Sequence, residues 1–138
     1  MTRFSISVDE GVDMVLWTLE NAWGGEIMVP KIASYRITDV ANAVGPECRQ
    51  LVVGVRPGEK IHEEMITASD SLNTVDLGGY YAILPMGAAY TPKDYCERTG
   101  AAPVAEGFTY NSGTNRQQLS VAELRTLIAT HVEPGHKA

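Results

Sequence analysis

The hydrophobic positions are helical in spacing near both ends of the chain and strand-like between them. Val12, Val15, Leu16, Leu19 and Trp23 recur at intervals of three and four, one apolar stripe of a helix. Ser7-Val8-Asp9-Glu10 has the form of a capping box ahead of it, and Gly24-Gly25 ends it, so a helix is predicted from Ser7 to about Trp23. Met14 and Trp17 fall off the stripe, which predicts burial on more than one side. Glu26 to Pro30 reads as a short strand closed by its proline. Thr38 is the expected N-cap of a second helix, with Val40, Ala41 and Val44 facing a core and Gly45-Pro46 as its stop. Arg49 to Val55 is an apolar β run. Helix, strand, helix, strand predicts a small α/β unit whose two strands are parallel.

The pattern changes after Asp70. Asn73 to Leu77 and Tyr80 to Leu84 flank Gly78-Gly79, the layout of a hairpin. Pro85 to Gly107 has little periodicity and reads as mostly loop or arm, and Phe108 to Asn115 as extended chain with a turn at Ser112-Gly113. Ser120-Val-Ala-Glu123 is a second capping box, opening a helix with Val121, Leu124, Leu127 and Ile128 inward. His131 to Ala138 is expected to be a frayed polar tail. The expected division is an α/β domain over 1–89, with 90–138 as a C-terminal arm and helix packed on it.

Composition narrows the class. The 138 residues are 44% hydrophobic and 20% charged, a globular balance of one domain's size. The net charge of −6 argues against a general nucleic-acid or anionic-membrane partner. No apolar run approaches the roughly 20 residues that span a bilayer, and Met1-Thr2-Arg3-Phe4 has no secretory core, so the expectation is a cytoplasmic protein without a membrane partner. Two cysteines, Cys48 and Cys96, make no disulfide framework.

The chemistry concentrates in Val53 to Met65, Val-Gly-Val-Arg-Pro-Gly-Glu-Lys-Ile-His-Glu-Glu-Met. The apolar run ends at a turn, Arg56-Pro57-Gly58, and a short amphipathic helix is expected from Glu59. Arg56 presents a planar fork of donors suited to phosphate, at a helix start that favours anions. Glu59, acceptor-only when ionised, suits vicinal hydroxyls such as those of a ribose. A solvated ion pair across the turn is the plainer reading of the same two residues.

Arg56-Pro-Gly-Glu-Lys-Ile-His-Glu-Glu-Met65 resembles a motif in the C-terminal part of the inverting UDP-N-acetylglucosamine 4,6-dehydratases, extended short-chain dehydrogenase/reductases of bacterial surface-glycan biosynthesis. Met1 to Phe4, Glu26 to Ile32, Tyr80 to Pro85 and Tyr110 to Asn115 are similar to further segments of that family, in the same order. Ser5 stands where the family has an aromatic. The resemblance implies a small substrate-binding α/β domain in which Arg56 contacts the UDP diphosphate, Glu59 the ribose hydroxyls, and Thr2 lines the nucleotide pocket. It implies a UDP-sugar ligand and, for the intact family, NADP. The pathway type is pseudaminic-acid or capsule glycans. Lys60 and His62 are expected at most at the rim, or as plain surface.

The family's dinucleotide-binding half needs a glycine-rich strand-to-helix turn and a tyrosine four residues before a lysine. Gly24-Gly25 and Gly78-Gly79 lack that spacing, and none of the six tyrosines has the lysine; Tyr90 comes nearest, with Lys93 at three. The expectation is no cofactor site in this chain and no turnover by it alone. A dinucleotide-binding half from another chain, or homo-oligomerisation through an exposed apolar face, is the expected partnership. A non-catalytic truncated relative acting as an oligomerisation or interaction domain is the alternative. His62-Glu63-Glu64-Met65 lacks the second histidine of a zinc helix, so no metal is expected. Tyr80, Tyr81 and Phe108 read as packing aromatics rather than a ligand wall.

Overall fold

The computed structural model describes residues 1–132; of the frayed tail expected from His131 to Ala138, His131 is instead the last residue of a helix, and the part beyond Val132, with His136, lies outside the described residues. The chain is mixed α/β and forms two compact units, each assembled from segments far apart in sequence. Residues 1–89 and 90–138 both contribute to each unit, so contacts do not separate at residue 89.

The first unit comprises Met1–Ser7, Ile32–Glu63 and the chain from Ser112 onward. β1 (Thr2–Phe4) pairs antiparallel with β3 (Ser34–Arg36), Thr2 opposite Arg36 and Phe4 opposite Ser34. Ser34 is fully buried; its N–H donates to Gln117 O at 2.8 Å, and its carbonyl accepts from Leu119 N at 2.7 Å. The Asn115 amide donates to Ser34 Oγ and to Ile32 O, both at 2.8 Å. These bonds fasten the 112–119 segment beside β1 and β3. α2 (Ile37–Val44) then packs on α4 (Val121–His131), whose Leu124 is buried. α4 opens on the expected capping box: Ser120 and Glu123 each satisfy the other's backbone N–H.

The second unit holds Val8–Lys31 and Glu64–Asn111. Its sheet runs in the order β2 (Ile27–Pro30), β6 (Tyr80–Ile83), β5 (Thr74–Asp76), β7 (Ala102–Pro103), every neighbour antiparallel. β5 and β6 form the expected hairpin; Gly78 takes φ 89° in its turn and Leu77 N donates to Tyr80 O at 2.9 Å. β4 (Glu64–Ile66) pairs antiparallel with β8 (Tyr110–Asn111). The core is Met28, Val75, Ala82, Leu84 and Tyr95.

Three expectations are corrected. The parallel strand pair does not form: β2 pairs antiparallel with β6, and residues 49–55 form no strand. Gly54 at φ 87° interrupts the extended run, and Leu51, Val52 and Val53 are 75–94% exposed with no strand beside them. No helix follows Glu59, and the chain bends there before β4. Within 85–107, which is mostly loop, lies α3 (Pro92–Thr99), capped by Thr91 and Asp94 with Pro92 in its first turn. Its one buried residue, Tyr95, gave no periodicity to read. The second helix begins at Ile37 with Arg36, not Thr38, at its N-cap.

α1 (Val8–Asn21) also differs from its expected packing. Trp17, off the regular stripe, stacks on Tyr80 with ring centroids 4.3 Å apart. Of the stripe, Val12, Val15, Leu16 and Leu19 are 51–77% exposed, with Val8 beside them at 83%, whereas Trp23 packs on Tyr90 and Tyr95.

Candidate functional site

Thr2, Arg56 and Glu59 all belong to the first unit. Gly58 at φ 79° lets the chain reverse immediately after Pro57. Glu59 N donates to Arg56 O at 3.1 Å, and the Glu59 carboxylate accepts from Arg56 N at 3.2 Å, so the turn is closed twice. Both residues are exposed. Among the described residues the Arg56 guanidinium forms no ion pair, so the plain solvated Arg56–Glu59 bridge is not what the turn makes.

A second arginine stands behind the turn. The Arg3 guanidinium lies 3.9 Å from Glu59 and 3.5 Å from Glu63, and it donates to Thr2 O at 2.7 Å. Glu63 is fixed further by the Phe4 N–H at 2.8 Å. Arg3, with its side chain 20% exposed, therefore orients two carboxylates and leaves Arg56 as the outward cation. Half-exposed pairs of this kind contribute about 0.2–1 kcal/mol each, so their value here is orientation.

Beneath this lies a buried polar relay. Thr2, 6% exposed, has its hydroxyl 2.7 Å from Ser112 Oγ and 2.8 Å from His62 Nδ1. Ser112 is fully buried, and its Oγ accepts from Glu63 N at 2.8 Å while its own N–H donates to Glu63 O at 2.8 Å. Thr2 N donates to Ile61 O at 3.0 Å. Every polar group of Thr2 is thus engaged, and the residue works from below the surface. The His62 ring lies against Gly113: a Cβ there would sit 2.6 Å from Nδ1 and 2.8 Å from Cγ. Lys60 is exposed.

Sequence reasoning missed Arg3, His62, Glu63 and Ser112 as members of this cluster. Apart from the Arg3 bond to neighbouring Thr2, their partners lie 49 to 110 positions away, beyond any local spacing. Tyr80, Tyr81 and Phe108 instead pack in the second unit, Tyr81 against Phe108 and Tyr110. Cys48 is exposed; burial raises the Cys96 thiol pKa, the opposite of what a nucleophile requires.

A dinucleotide cofactor requires a glycine-rich passage from strand into helix. The passage from β1 to α1 is Ser5-Ile6-Ser7, and β3 runs directly into α2. The glycines ahead of α3 and α4, Gly87 and Gly113, each stand alone. Among the described residues, these strand-to-helix passages carry no paired glycines. The described residues also contain no cluster of three metal-ligating side chains, and no helix among them is long and apolar enough to cross a membrane.

Comparison with known proteins places the chain in a family. The chain is 41% identical over 138 residues to the UDP-N-acetylglucosamine 4,6-dehydratase (inverting) of Campylobacter jejuni, covering 96% of this chain and 41% of that protein. It is 34% identical over 134 residues to the UDP-glucose 4-epimerase of Rickettsia prowazekii, covering 94% of this chain and 39% of that one. The X-ray structure of Pen from Bacillus thuringiensis superposes with a TM-score of 0.72 at 26% identity, over 94% of this chain and 39% of that chain. The chain thus spans about two fifths of the length of the relatives it matches. A family profile described as polysaccharide biosynthesis protein matches residues 1–85, which include β1, the Arg56 turn and the β5–β6 hairpin, and the chain belongs to that family.

Proposed function

We propose that this chain is the nucleotide-sugar recognition part of a UDP-N-acetylglucosamine 4,6-dehydratase-like protein of bacterial surface-glycan biosynthesis. The observation that supports it most is the Arg56 turn: an exposed guanidinium without an ion pair, on a bend closed by Glu59. Arg56 grips the diphosphate, and Glu59 accepts from the ribose hydroxyls. Thr2 forms the floor of the pocket, holding His62 and Ser112 in place. NADP and the proton-moving tyrosine and lysine belong to a dinucleotide-binding half that this reading assigns to other residues than these.

Recognition by this chain alone is weak, with a Kd of about 1 mM, because one part of a pocket wall supplies only part of the contacts. Titrating UDP into the wild type and into Arg56→Ala tests it. Binding by the wild type that Arg56→Ala weakens supports the reading; equal or absent binding in both overturns it. Supplying a dinucleotide-binding half on another chain and assaying dehydration of UDP-N-acetylglucosamine tests for turnover.

A second reading is favoured by one observation, the exposed apolar stripe on α1. Contiguous exposed apolar surface of this kind marks an interaction face. Under it the chain serves as an oligomerisation module, with a second copy covering Val8, Val12, Val15, Leu16 and Leu19.

A further inference from the structure

His62 is exposed, yet its ring is more constrained than a surface histidine needs to be. Ser112 Oγ accepts from Glu63 N–H; the bond between the two hydroxyls can run either way, and in one arrangement Ser112 donates to Thr2 Oγ1 and Thr2 donates to His62 Nδ1. That arrangement satisfies both buried hydroxyls and leaves the neutral imidazole protonated on Nε2. The ring's one hydrogen bond among the described residues is through Nδ1. Gly113 supplies the bed, since any Cβ there would overlap the ring. Two buried hydroxyls, a main-chain N–H and a glycine are thus committed to aiming one exposed imidazole. The same Glu63 that starts the relay meets Arg3, which also meets Glu59, so the histidine and the Arg56 turn share one framework.

We propose that His62 is a nucleotide-binding residue, presenting its Nε2–H to an acceptor oxygen of the UDP moiety beside Arg56, with Thr2 and Ser112 as positioning residues. This rests on the nucleotide-recognition reading above.

Two substitutions separate binding from positioning. His62→Asn places an amide where Nδ1 lies, keeping a partner for Thr2 while removing the outward donor. His62→Gln reaches the Nε2 position and restores that donor. UDP is titrated into 15N-labelled wild type, Arg56→Ala, His62→Asn and His62→Gln, followed by backbone amide spectra that also report folding. His62→Asn is expected to weaken UDP about tenfold or more, the effect of losing a hydrogen bond to a charged group, and His62→Gln clearly less. Wild-type binding lost in Arg56→Ala but unchanged in His62→Asn overturns the role of His62 and leaves the recognition reading standing. No wild-type binding overturns both. Should His62→Asn unfold, the ring nitrogens of wild-type His62 decide instead. An Nε2–H tautomer whose Nε2 signal moves on adding UDP supports the proposal, and ring signals indifferent to UDP overturn it.

Discussion

The hydroxyls of Thr2 and Ser112 lie 2.7 Å apart, both buried, joining positions 110 residues distant in the chain. Removing one leaves the other short of a partner in a dry setting, which costs about 1–3 kcal/mol. Thr2→Val, close in shape, is therefore expected to lower unfolding stability by about that amount, and Ser112→Ala likewise. The double variant should lose less than the sum, with a coupling of about 0.5–3 kcal/mol. Urea unfolding of the four proteins measures it, and strict additivity would show that the hydroxyls do not act as a pair.

Gly113→Ala addresses the same cluster from the other side. Gly113 is not among the glycines at positive φ, so the backbone tolerates alanine; the overlap is with the His62 ring. The ring is expected to swing away and break its bond to Thr2. UDP affinity should fall as in His62→Asn, and the His62 ring nitrogens should lose the preference for one tautomer.

Tyr95, 1% exposed in the second unit, gives a prediction at alkaline pH. Burial pushes its phenol up to about 12, with the Glu26 carboxylate and Tyr90 adding to the rise. A raised folded value means the stability is complete below the unfolded value of about 10 and is lost as pH climbs through 12. Phenolate absorbance should therefore show Tyr95 ionising last or together with unfolding, and Tyr95→Phe should flatten the loss of stability above pH 10.

Asp76 gives the acid counterpart. Burial pushes its carboxyl up, but the hydrogen bond from Lys31 at 2.6 Å, the Gly78 N–H and the Lys31 charge outweigh that, leaving it below its ordinary 3.8. A lowered folded value contributes stability that is present above the unfolded value and lost as pH falls through the folded one. With the carboxylate side chain 38% exposed, the contribution is about 0.2–1 kcal/mol. Asp76→Asn should reduce stability at pH 7 by that order and weaken its pH dependence below pH 4, as thermal unfolding across pH would show.

On α1, Leu16→Lys with Leu19→Lys charges a face whose two leucines are 55% and 77% exposed. Monomer stability should stay within about 0.5 kcal/mol. If the face is a self-association surface, light scattering will show the wild type larger than the variant; equal masses remove the oligomerisation reading.

What could be read from the sequence was what local chemistry encodes. Ser120 and Glu123 are three residues apart and cap one helix, so the box is visible in the string. Gly78-Gly79 between two apolar runs marked the hairpin for the same reason. Arg56 and Glu59 sit in one turn, and their proximity followed from Pro57 and Gly58. The rest depended on partners distant in sequence. The 51–55 run has the composition of a strand but no strand beside it, and composition alone cannot supply one. Thr91 and Asp94 cap α3 by the same chemistry as Ser120 and Glu123, yet the polar helix behind them hid the signal. Ser112, Thr2 and His62 meet only once the chain has folded back.

That β1 is completed by residues from Ser112 onward bears on the order in which the molecule can form. During synthesis β1 emerges 110 residues ahead of Ser112, so the Thr2 hydroxyl waits that long for this partner. Closing so long a loop precedes any gain from the contacts it permits, which slows that step relative to the local β5–β6 hairpin. The Thr2–Ser112–His62 cluster is therefore expected to be among the last parts of its unit to mature, and a chain interrupted before Ser112 would emerge without it.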